Sequence, residues 1–156
     1  MSANAIRIRR ARATAKEVQQ LARLFDAYRQ FYGKPSAIPL ARRYLAERLR
    51  RRESVIFVAE RAADRRLVGF VQLYPIFSSV QARRAWLLND LYVDASARRT
   101  GTGRRLVEQA RLHGARTRAA GIELATGRTN TAAQALYESL GYVRDEQFVH
   151  YSLALP

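Results

Sequence analysis

The residues with the clearest chemical potential form a short loop rich in glycine and arginine. It reads Arg98-Arg99-Thr100-Gly101-Thr102-Gly103-Arg104, and it lies between an apolar run that ends at Val93 and a helical pattern that begins near Leu106. Because glycine has no Cβ, successive backbone N–H groups can converge there at a helix start, where they lack intrahelical partners. The helix dipole and the arginines add positive charge. The loop therefore predicts a site for a phosphate or pyrophosphate.

Composition limits the classes of protein that this chain can be. Its 156 residues are enough for one compact domain with a real core. The chain has no cysteine, and His113 and His150 are its two histidines, so we expect no disulfide, no thiolate nucleophile and no metal site. It has no apolar run of about 18 residues and no signal-peptide pattern, which predicts a soluble cytoplasmic protein without a membrane partner.

The net charge of +15 is the most conspicuous bulk property. Nearly all of it comes from arginines, which are scattered from Arg7 to Arg144. Such a field attracts polyanions and invites non-specific contact with nucleic acid. No recognised nucleic-acid motif accompanies it, so we interpret it as a solvated basic surface without a dedicated nucleic-acid partner.

Apolar spacing predicts an α/β domain built on a mixed sheet. Thr14 is placed to cap the first helix, whose end is marked by Gly33 and Pro35, and Asn130 and Gly141 bracket the last helix in the same way. Strands are predicted over 5–10, 54–60, 67–74, 84–93 and 122–126, with two short strands at 142–143 and 148–155. We write the order as βααββββαβαββ, with central sheet flanked by helices and some variation at the termini.

Three residues predict where a strand ends, where it bulges and where a helix ends. Pro75 is expected to stop the strand over 67–74, in which Gly69 suggests a β-bulge, and Gly121 is expected to end the helix that follows the glycine loop. A strand, the glycine loop, a helix and a second strand form a βαβ unit. This unit predicts a parallel strand pair entered through the phosphate loop.

Three segments, taken together and in order, resemble the GCN5-related N-acetyltransferase (GNAT) superfamily. They are Asp90-Leu91-Tyr92-Val93, Arg98-x-x-Gly101-x-Gly103 and Asn130-x-x-Ala133-x-x-Leu136-Tyr137-x-x-x-Gly141-Tyr142. The second fits the pyrophosphate loop that this superfamily writes (Gln/Arg)-x-x-Gly-x-(Gly/Ala). The resemblance spans essentially the whole chain, which implies a single acetyltransferase domain over 1–156. A dinucleotide fingerprint fails because position 106 is leucine, and a Walker loop fails because its Gly-Lys-(Ser/Thr) ending is missing.

The resemblance implies an N-acetyltransferase that moves an acetyl group from acetyl-CoA to a primary amine by direct attack in a ternary complex. It implies that backbone N–H groups over 99–104 hold the pyrophosphate, and that Leu91 and Val93 offer main-chain groups to the pantetheine arm where two parallel strands splay apart. The full set of implied cofactor contacts is Leu91, Tyr92, Val93, Arg98, Arg99, Thr100, Gly101, Thr102, Gly103, Arg104, Asn130 and Tyr137.

Two residues are candidates for proton transfer. Tyr137 matches the tyrosine of the family's second cofactor element, and a phenol, protonated near neutral pH, can donate a proton to the departing thiolate. Asp90 is the carboxylate on the strand that faces the reaction, but many relatives have glutamate at or next to this point, whereas here position 89 is Asn. Three roles for Asp90 stay open: a base acting through water, a holder of a cationic acceptor, and a structural group.

The acceptor is not specified by these motifs. Tyr28, Phe31 and Tyr32 make the end of the first helix unusually aromatic, which is typical of core packing and equally of a substrate-pocket wall. Small amines, polyamines, aminoglycosides and protein amines all stay open as acceptors. A homodimer is common in this family. Two other functions on the same scaffold also stay open, a non-catalytic CoA-binding regulator and a basic protein that binds nucleic acid or an acidic partner.

Overall fold

The computed structural model describes residues 5–156, which contain five strands and four α-helices. The strands are β1 (Ile6–Arg10), β2 (Val55–Arg61), β3 (Leu67–Ser78), β4 (Arg83–Val93) and β5 (Ile122–Leu124). The helices are α1 (Ala15–Phe31), α2 (Ile38–Arg50), α3 (Thr102–Arg116) and α4 (Thr131–Ser139). No helix within this described part is long and apolar enough to cross a membrane.

The strands form one mixed sheet in the order β1-β2-β3-β4-β5. The first three pairs are antiparallel, whereas β4 and β5 are parallel and connected through α3. The α/β class, the mixed sheet and the βαβ unit are therefore confirmed. A β-bulge also lies beside Gly69, because Ala59 pairs with Gly69 but Glu60 pairs with Leu67.

Helices cover both faces of the sheet. Ile56 and Val58 belong to the apolar cluster formed with α1 and α2, whereas Phe57 between them contacts His113 of α3. Since neighbouring side chains of a strand point to opposite faces, β2 is buried on both. α3 approaches the sheet closely at Gly69, where an added Cβ would lie 3.3 Å from Leu106 Cδ1 of α3 and 3.0 Å from the Tyr92 carbonyl oxygen of β4.

Local signals set the helix ends as predicted. The hydroxyl of Thr14 accepts a hydrogen bond from the Glu17 N–H at 3.3 Å, and Gly33 follows α1 with a φ of 77°. Asn130 caps α4 by accepting from the Ala133 N–H at 3.2 Å. Gly141 follows that helix with a φ of 88°, a left-handed conformation that glycine adopts readily.

The predicted order contains strands that the structure does not have. Three strands, not four, connect α2 to α3, and the described residues contain no strand after α4. The terminal stretches 142–143 and 148–155 carry a strand-like alternation, but Val149, Tyr151 and Leu153 are all more than three-quarters exposed. A strand needs a hydrogen-bonding neighbour, and α4 is the only regular element that accompanies these stretches in their compact unit.

Two predicted stops are also wrong. β3 continues through Pro75 to Ser78, because its pairing with β2 ends at Leu73 and beyond that point only β4 lies beside it. A proline without an N–H is tolerated on such an edge. α3 ends at Arg116 and not at Gly121, since the Thr117 hydroxyl bonds to the carbonyls of its last turn and Arg118 turns left-handed with a φ of 54°.

The chain divides into two compact units. The first ends at Ala125 and contains the whole sheet with α1 to α3, and the second is Thr126–Pro156 with α4.

Candidate functional site

The glycine loop of the first unit enters α3 through two left-handed residues. A 3-10 turn over Ala95–Ala97 follows β4, and then Arg99 and Gly101 have φ values of 59° and 78°. α3 begins at Thr102, and its N-cap Gly101 provides no side-chain hydrogen bond. Backbone of this kind makes successive N–H groups converge, and the first turn of a helix has N–H groups without intrahelical acceptors. The loop has the geometry that an anion site requires.

The two threonines of the loop are bonded to each other. The Thr100 hydroxyl donates to the Ala97 carbonyl at 2.7 Å and lies 2.8 Å from the Thr102 hydroxyl. A hydroxyl has one proton, so Thr100 must accept from Thr102. Both hydroxyl protons are thus used inside the loop. An anion bound here would meet the backbone N–H groups and not these side chains.

Arg98 is fixed against the end of β4. Its Nε donates to the Val93 carbonyl at 2.9 Å, and its guanidinium carbon lies 5.7 Å from the centre of the Tyr92 ring. The side chain is therefore held beside the loop by a hydrogen bond and a cation–π contact. Its positive charge stays exposed, as does that of Arg99.

β4 has one open edge at the level of the candidate site. Its parallel pairing with β5 ends at Leu88 opposite Leu124, although β4 itself continues to Val93. Leu91, Tyr92 and Val93 are half-buried on this stretch and pair only with β3. On the side towards β5, the main-chain groups of this stretch therefore form no strand pairing with β5. This is the splaying of two parallel strands that the sequence predicted.

Asp90 is a buried carboxylate surrounded by neutral donors. It is 3% exposed. Gln72 Nε2 donates to its Oδ2 at 2.6 Å, and Asn89 Nδ2 donates to its Oδ1 at 2.9 Å. The Tyr28 hydroxyl, from α1, donates to the Asn89 carbonyl at 3.2 Å. Among residues 5–156, no arginine or lysine forms an ion pair with Asp90.

This environment shifts the pKa of the Asp90 carboxyl upward. Burial raises the pKa of its carboxyl, and the hydrogen bonds from Gln72, Tyr28 and Asn89 offset only part of that effect. Burial also raises the pKa of Tyr74, with further contributions from its 2.6 Å hydrogen bond to Tyr44 and from the negative charge of Asp90. A carboxylate with a raised pKa is a stronger base than an exposed aspartate.

A bulge in β4 sets the direction of these side chains. Gln72 pairs with Asp90, but the next residue, Leu73, pairs with Leu88, so Asn89 has no partner across the ladder. The extra residue leaves Asp90 buried and Asn89 exposed on successive positions. Sequence reasoning identified Asp90 and missed Gln72 and Tyr74, because a polar residue inside an apolar strand gives no signal of its cross-strand partner.

The aromatic end of α1 divides between packing and surface. Tyr28 packs on Phe70 of the core with ring centroids 6.2 Å apart and also contacts Tyr32 at 5.1 Å. Phe31 and Tyr32 are 65% and 52% exposed. Tyr28, Phe31 and Tyr32 were predicted to bind the acetyl acceptor. Tyr28 lies next to Asn89 and Asp90, whereas the rings of Phe31 and Tyr32 lie at the surface.

The second unit contains the other two predicted site residues. Asn130 caps α4, as its sequence position predicted, and Tyr137 is 8% exposed on that helix. The Tyr137 ring lies 5.7 Å from the ring of Tyr142, edge on. Tyr137 and Asn130 are thus ordered on one short helix.

The two histidines differ in their surroundings. His113 packs on Trp86 and Phe57 under α3, and its buried Nε2 forms no hydrogen bond with residues 5–156. His150 is exposed. The described residues hold no group of three metal-ligating side chains.

Comparison with known proteins agrees with this fold. Residues 21–142 match the model of the acetyltransferase (GNAT) family. The chain therefore belongs to the GNAT family of acetyltransferases. It is similar to the protein named uncharacterized N-acetyltransferase YhfO of Bacillus subtilis (strain 168), with 41% identity over 92% of this chain and 95% of that protein.

Two solved structures are similar as well. The crystal structure of a probable acetyltransferase is 41% identical, covers 96% of this chain and 98% of its own, and superimposes with a TM-score of 0.89. The ribosomal-protein-alanine N-acetyltransferase from Brucella melitensis biovar Abortus 2308 is 22% identical, covers 97% of this chain and 100% of its own, and gives a TM-score of 0.80. At that identity the second likeness shows the fold alone.

Proposed function

We propose that this protein transfers an acetyl group from acetyl-CoA to a primary amine, by direct attack of the amine within a ternary complex. The whole chain would act as one acetyltransferase domain. The observation that carries the proposal is the entry to α3, where Arg99 and Gly101 are left-handed and the first helical turn has no side-chain cap. This is where a GNAT enzyme seats the pyrophosphate of its co-substrate.

The residues of the loop fit a doubly charged diphosphate. The helix dipole and the exposed guanidinium groups of Arg98, Arg99 and Arg104 supply positive charge. The threonine hydroxyls are already satisfied, so recognition would rest on the backbone N–H groups over 99–104. The open edge of β4 over Leu91–Val93 would pair with the amide groups of the pantetheine arm. Acetyl-CoA, when bound there, supplies the activated acyl group.

Asp90 would contact the positively charged ammonium group of the acceptor. An alkyl ammonium must lose a proton before its nitrogen can attack, and Asp90 is a buried carboxylate without a cation among the described residues. Burying an unpaired charge costs free energy, and an ammonium group would remove that cost by pairing with it. We therefore favour contact with the acceptor amine over a purely structural role. Tyr28, at the edge of this cluster, would contact the acceptor together with Phe31 and Tyr32.

Tyr137 would act as the acid. A phenol that is protonated at neutral pH can hydrogen-bond the departing sulfur and give it a proton. Support for this role comes from the family motif around Tyr137, in which Asn130 would contact the pantetheine region as well as cap its helix.

The net charge bears on the choice of acceptor. A field of +15 slows the approach of a polycation by long-range repulsion, so we propose an acceptor with a single amine or with compensating negative charge. Asp90 would offset the repulsion only at short range, where the amine has already entered.

Two measurements on the purified chain test the proposal. Titration calorimetry with acetyl-CoA should give micromolar binding, and a thiol-release assay over a library of amines should identify at least one acceptor. Binding without thiol release for any amine would favour a CoA-binding regulator. The absence of binding would refute the acetyltransferase and leave the basic nucleic-acid or acidic-partner binding protein to be tested.

A further inference from the structure

Gln72 is the most deeply buried polar partner of Asp90. It has no exposed surface, and its Nε2 lies 2.6 Å from Asp90 Oδ2 across the β3–β4 ladder. The two residues are direct register partners immediately before the bulge at Asn89. Asp90 therefore cannot move along β4 without losing this hydrogen bond.

The other end of the same amide is unused. Gln72 Oε1 is buried and accepts no hydrogen bond from residues 5–156. A buried acceptor without a donor costs free energy, and such atoms are few in folded proteins. Asp90 lies beside it, and a carboxyl group becomes a donor when it is protonated.

An amide can serve both forms of a neighbouring carboxyl. With Asp90 ionised, Gln72 Nε2 donates to the carboxylate as the structure has it. With Asp90 protonated on Oδ2, a half-turn of the amide would present Oε1, and the carboxyl O–H would donate to it. An apolar residue of similar size would stabilise neither form in this way.

Other groups around Asp90 are hydrogen-bonded as well, and Tyr28 also contributes a hydrogen bond to the Asp90 carboxyl. Asn89 donates to Oδ1, the Tyr28 hydroxyl of α1 donates to the Asn89 carbonyl, and Tyr74 of β3 is paired with Tyr44 of α2. Arg48 of α2 lies over the Tyr44 ring, 5.1 Å from its centre. The Gln72 hydrogen bond to Oδ2 is the one that reaches Asp90 from the opposite strand of the β3–β4 ladder.

We propose that Gln72 is a positioning residue that supports Asp90 in both its ionised and its protonated form. Asp90 can then take a proton from the acceptor's ammonium group while keeping its place on β4. In this step the N–H bond of the ammonium breaks, a carboxyl O–H forms, and the amine nitrogen recovers its electron pair. This inference rests on the proposed function, since it assigns the proton's destination in that reaction.

The test measures the titration of Asp90 directly, without turnover. In protein labelled with ¹³C at aspartate, the Asp90 carboxyl signal is assigned as the one missing in Asp90→Asn. Gln72→Met keeps the length of the side chain but removes the amide, so both forms of Asp90 lose a hydrogen bond. The bond to the charged form is the stronger of the two, so the titration midpoint should rise by about one pH unit. Gln20→Met is the matched control. It removes an amide that accepts from Leu67 N and should leave the Asp90 midpoint unchanged.

A second readout uses the wild-type chain, in case Gln72→Met does not fold. The side-chain NH₂ signals of Gln72 in ¹⁵N-glutamine-labelled protein should shift with the same midpoint as the Asp90 carboxyl, and this shift should vanish in Asp90→Asn. Gln72 signals that do not follow Asp90, or an Asp90 midpoint that stays the same in folded Gln72→Met, would overturn the inference.

Activity measurements separate the two proposals. With an acceptor in hand, Gln72→Met should move the acid limb of the kcat/KM profile by the same amount as the carboxyl signal. A limb that stays in place would overturn the role in proton transfer, even in an active enzyme. If the wild-type chain acetylates no amine, the proposed function fails, whereas the two NMR titrations still decide whether Gln72 supports both forms of Asp90.

Discussion

The imidazole of His113 packs against the indole of Trp86, with ring centroids 4.8 Å apart. Burial lowers the pKa of His113, and the nearby charges of Arg10, Arg116 and Arg84 lower it further. The folded protein therefore holds this histidine neutral at a pH where the unfolded chain protonates it. The stabilisation is present in full above the unfolded value of about 6.5 and is lost as the pH falls towards the folded pKa.

We expect the free energy of unfolding to fall more steeply below about pH 6.5 in the wild type than in His113→Gln. Urea denaturation at a series of pH values measures this difference. His150→Gln, at the other and exposed histidine, is the control and should behave as the wild type. Trp86 is the only tryptophan of the chain, so its fluorescence reports on the same titration, since a protonated imidazole quenches indole emission. Equal slopes in the wild type and His113→Gln would show that His113 is not the group responsible.

Arg9 bridges two buried carboxylates. It donates to Glu17 at 2.8 Å and to Glu60 at 2.6 Å, joining β1 to α1 and β2. Burial raises the pKa of Glu17, but the hydrogen bonds from Arg9 and the Arg12 N–H outweigh it and hold the pKa below its usual value.

Arg9→Met should therefore lower the free energy of unfolding by about 2 to 4 kcal/mol, because it leaves the Glu17 carboxylate buried without its ion-pair partner, whereas Glu60 keeps Arg65. Chemical denaturation measures the loss. Arg61→Met removes an exposed pair with Asp64 and should have little effect. If both variants lost the same stability, the bridge would contribute no more than a surface ion pair.

Gly101 allows a test of the anion site by charge alone. Asn and Asp both tolerate the left-handed backbone, with a φ of 78° here, and no atom lies within 4 Å of an added Cβ. Gly101→Asp should bind CoA about tenfold or more weakly than Gly101→Asn, because its carboxylate would repel the diphosphate. The difference in CoA affinity between the two variants should become smaller as the salt concentration rises. Calorimetric Kd values that agree between the two variants would argue against a diphosphate in this loop.

Tyr137→Phe should lower kcat on the order of 10²-fold and leave the affinity for CoA nearly unchanged, as expected for a lost acid. Steady-state kinetics and calorimetry measure the two effects separately. Tyr151→Phe removes a hydroxyl from an exposed tyrosine and is the control. Wild-type turnover in Tyr137→Phe would refute its role as the acid.

Asp90→Asn should remove the acid limb of the kcat/KM profile and lower the plateau on the order of 10²-fold, if Asp90 is the base. Burial raises the pKa of Asp90, so the wild-type limb should lie at higher pH than for an exposed aspartate. A higher KM with an unchanged profile would instead indicate that Asp90 holds the acceptor's charge. An unchanged profile and KM would leave it a structural residue.

Local signals made much of this fold predictable. Thr14, Gly33, Asn130 and Gly141 act on their own neighbours along the chain, and each ends or begins a helix as predicted. The glycine loop was predictable for the same reason, because its conformation depends on residues next to one another.

Signals that depend on distant partners were misread. Pro75 is tolerated because no strand lies on its other side, and the alternation over 148–155 forms no strand because none pairs with it. Asp26 is a similar case. This buried side chain of α1 accepts from the N–H of Ala37, the N-cap residue of α2, at 2.6 Å and so holds the start of α2 against α1. Nothing in the spacing of these residues announces that contact, or the one between Gln72 and Asp90.

Two contacts of the glycine loop affect the thermodynamics of ligand binding. The hydroxyls of Thr100 and Thr102 are hydrogen-bonded to each other, and Arg98 is hydrogen-bonded to the Val93 carbonyl. Because these contacts already hold the loop in the free protein, the loop should lose little conformational entropy when a ligand binds. The entropy change on binding would then come mainly from the ligand and from the release of water and counterions. Mutations that remove either threonine hydroxyl should weaken binding through disorder in the free protein, because both hydroxyl protons are used within the loop.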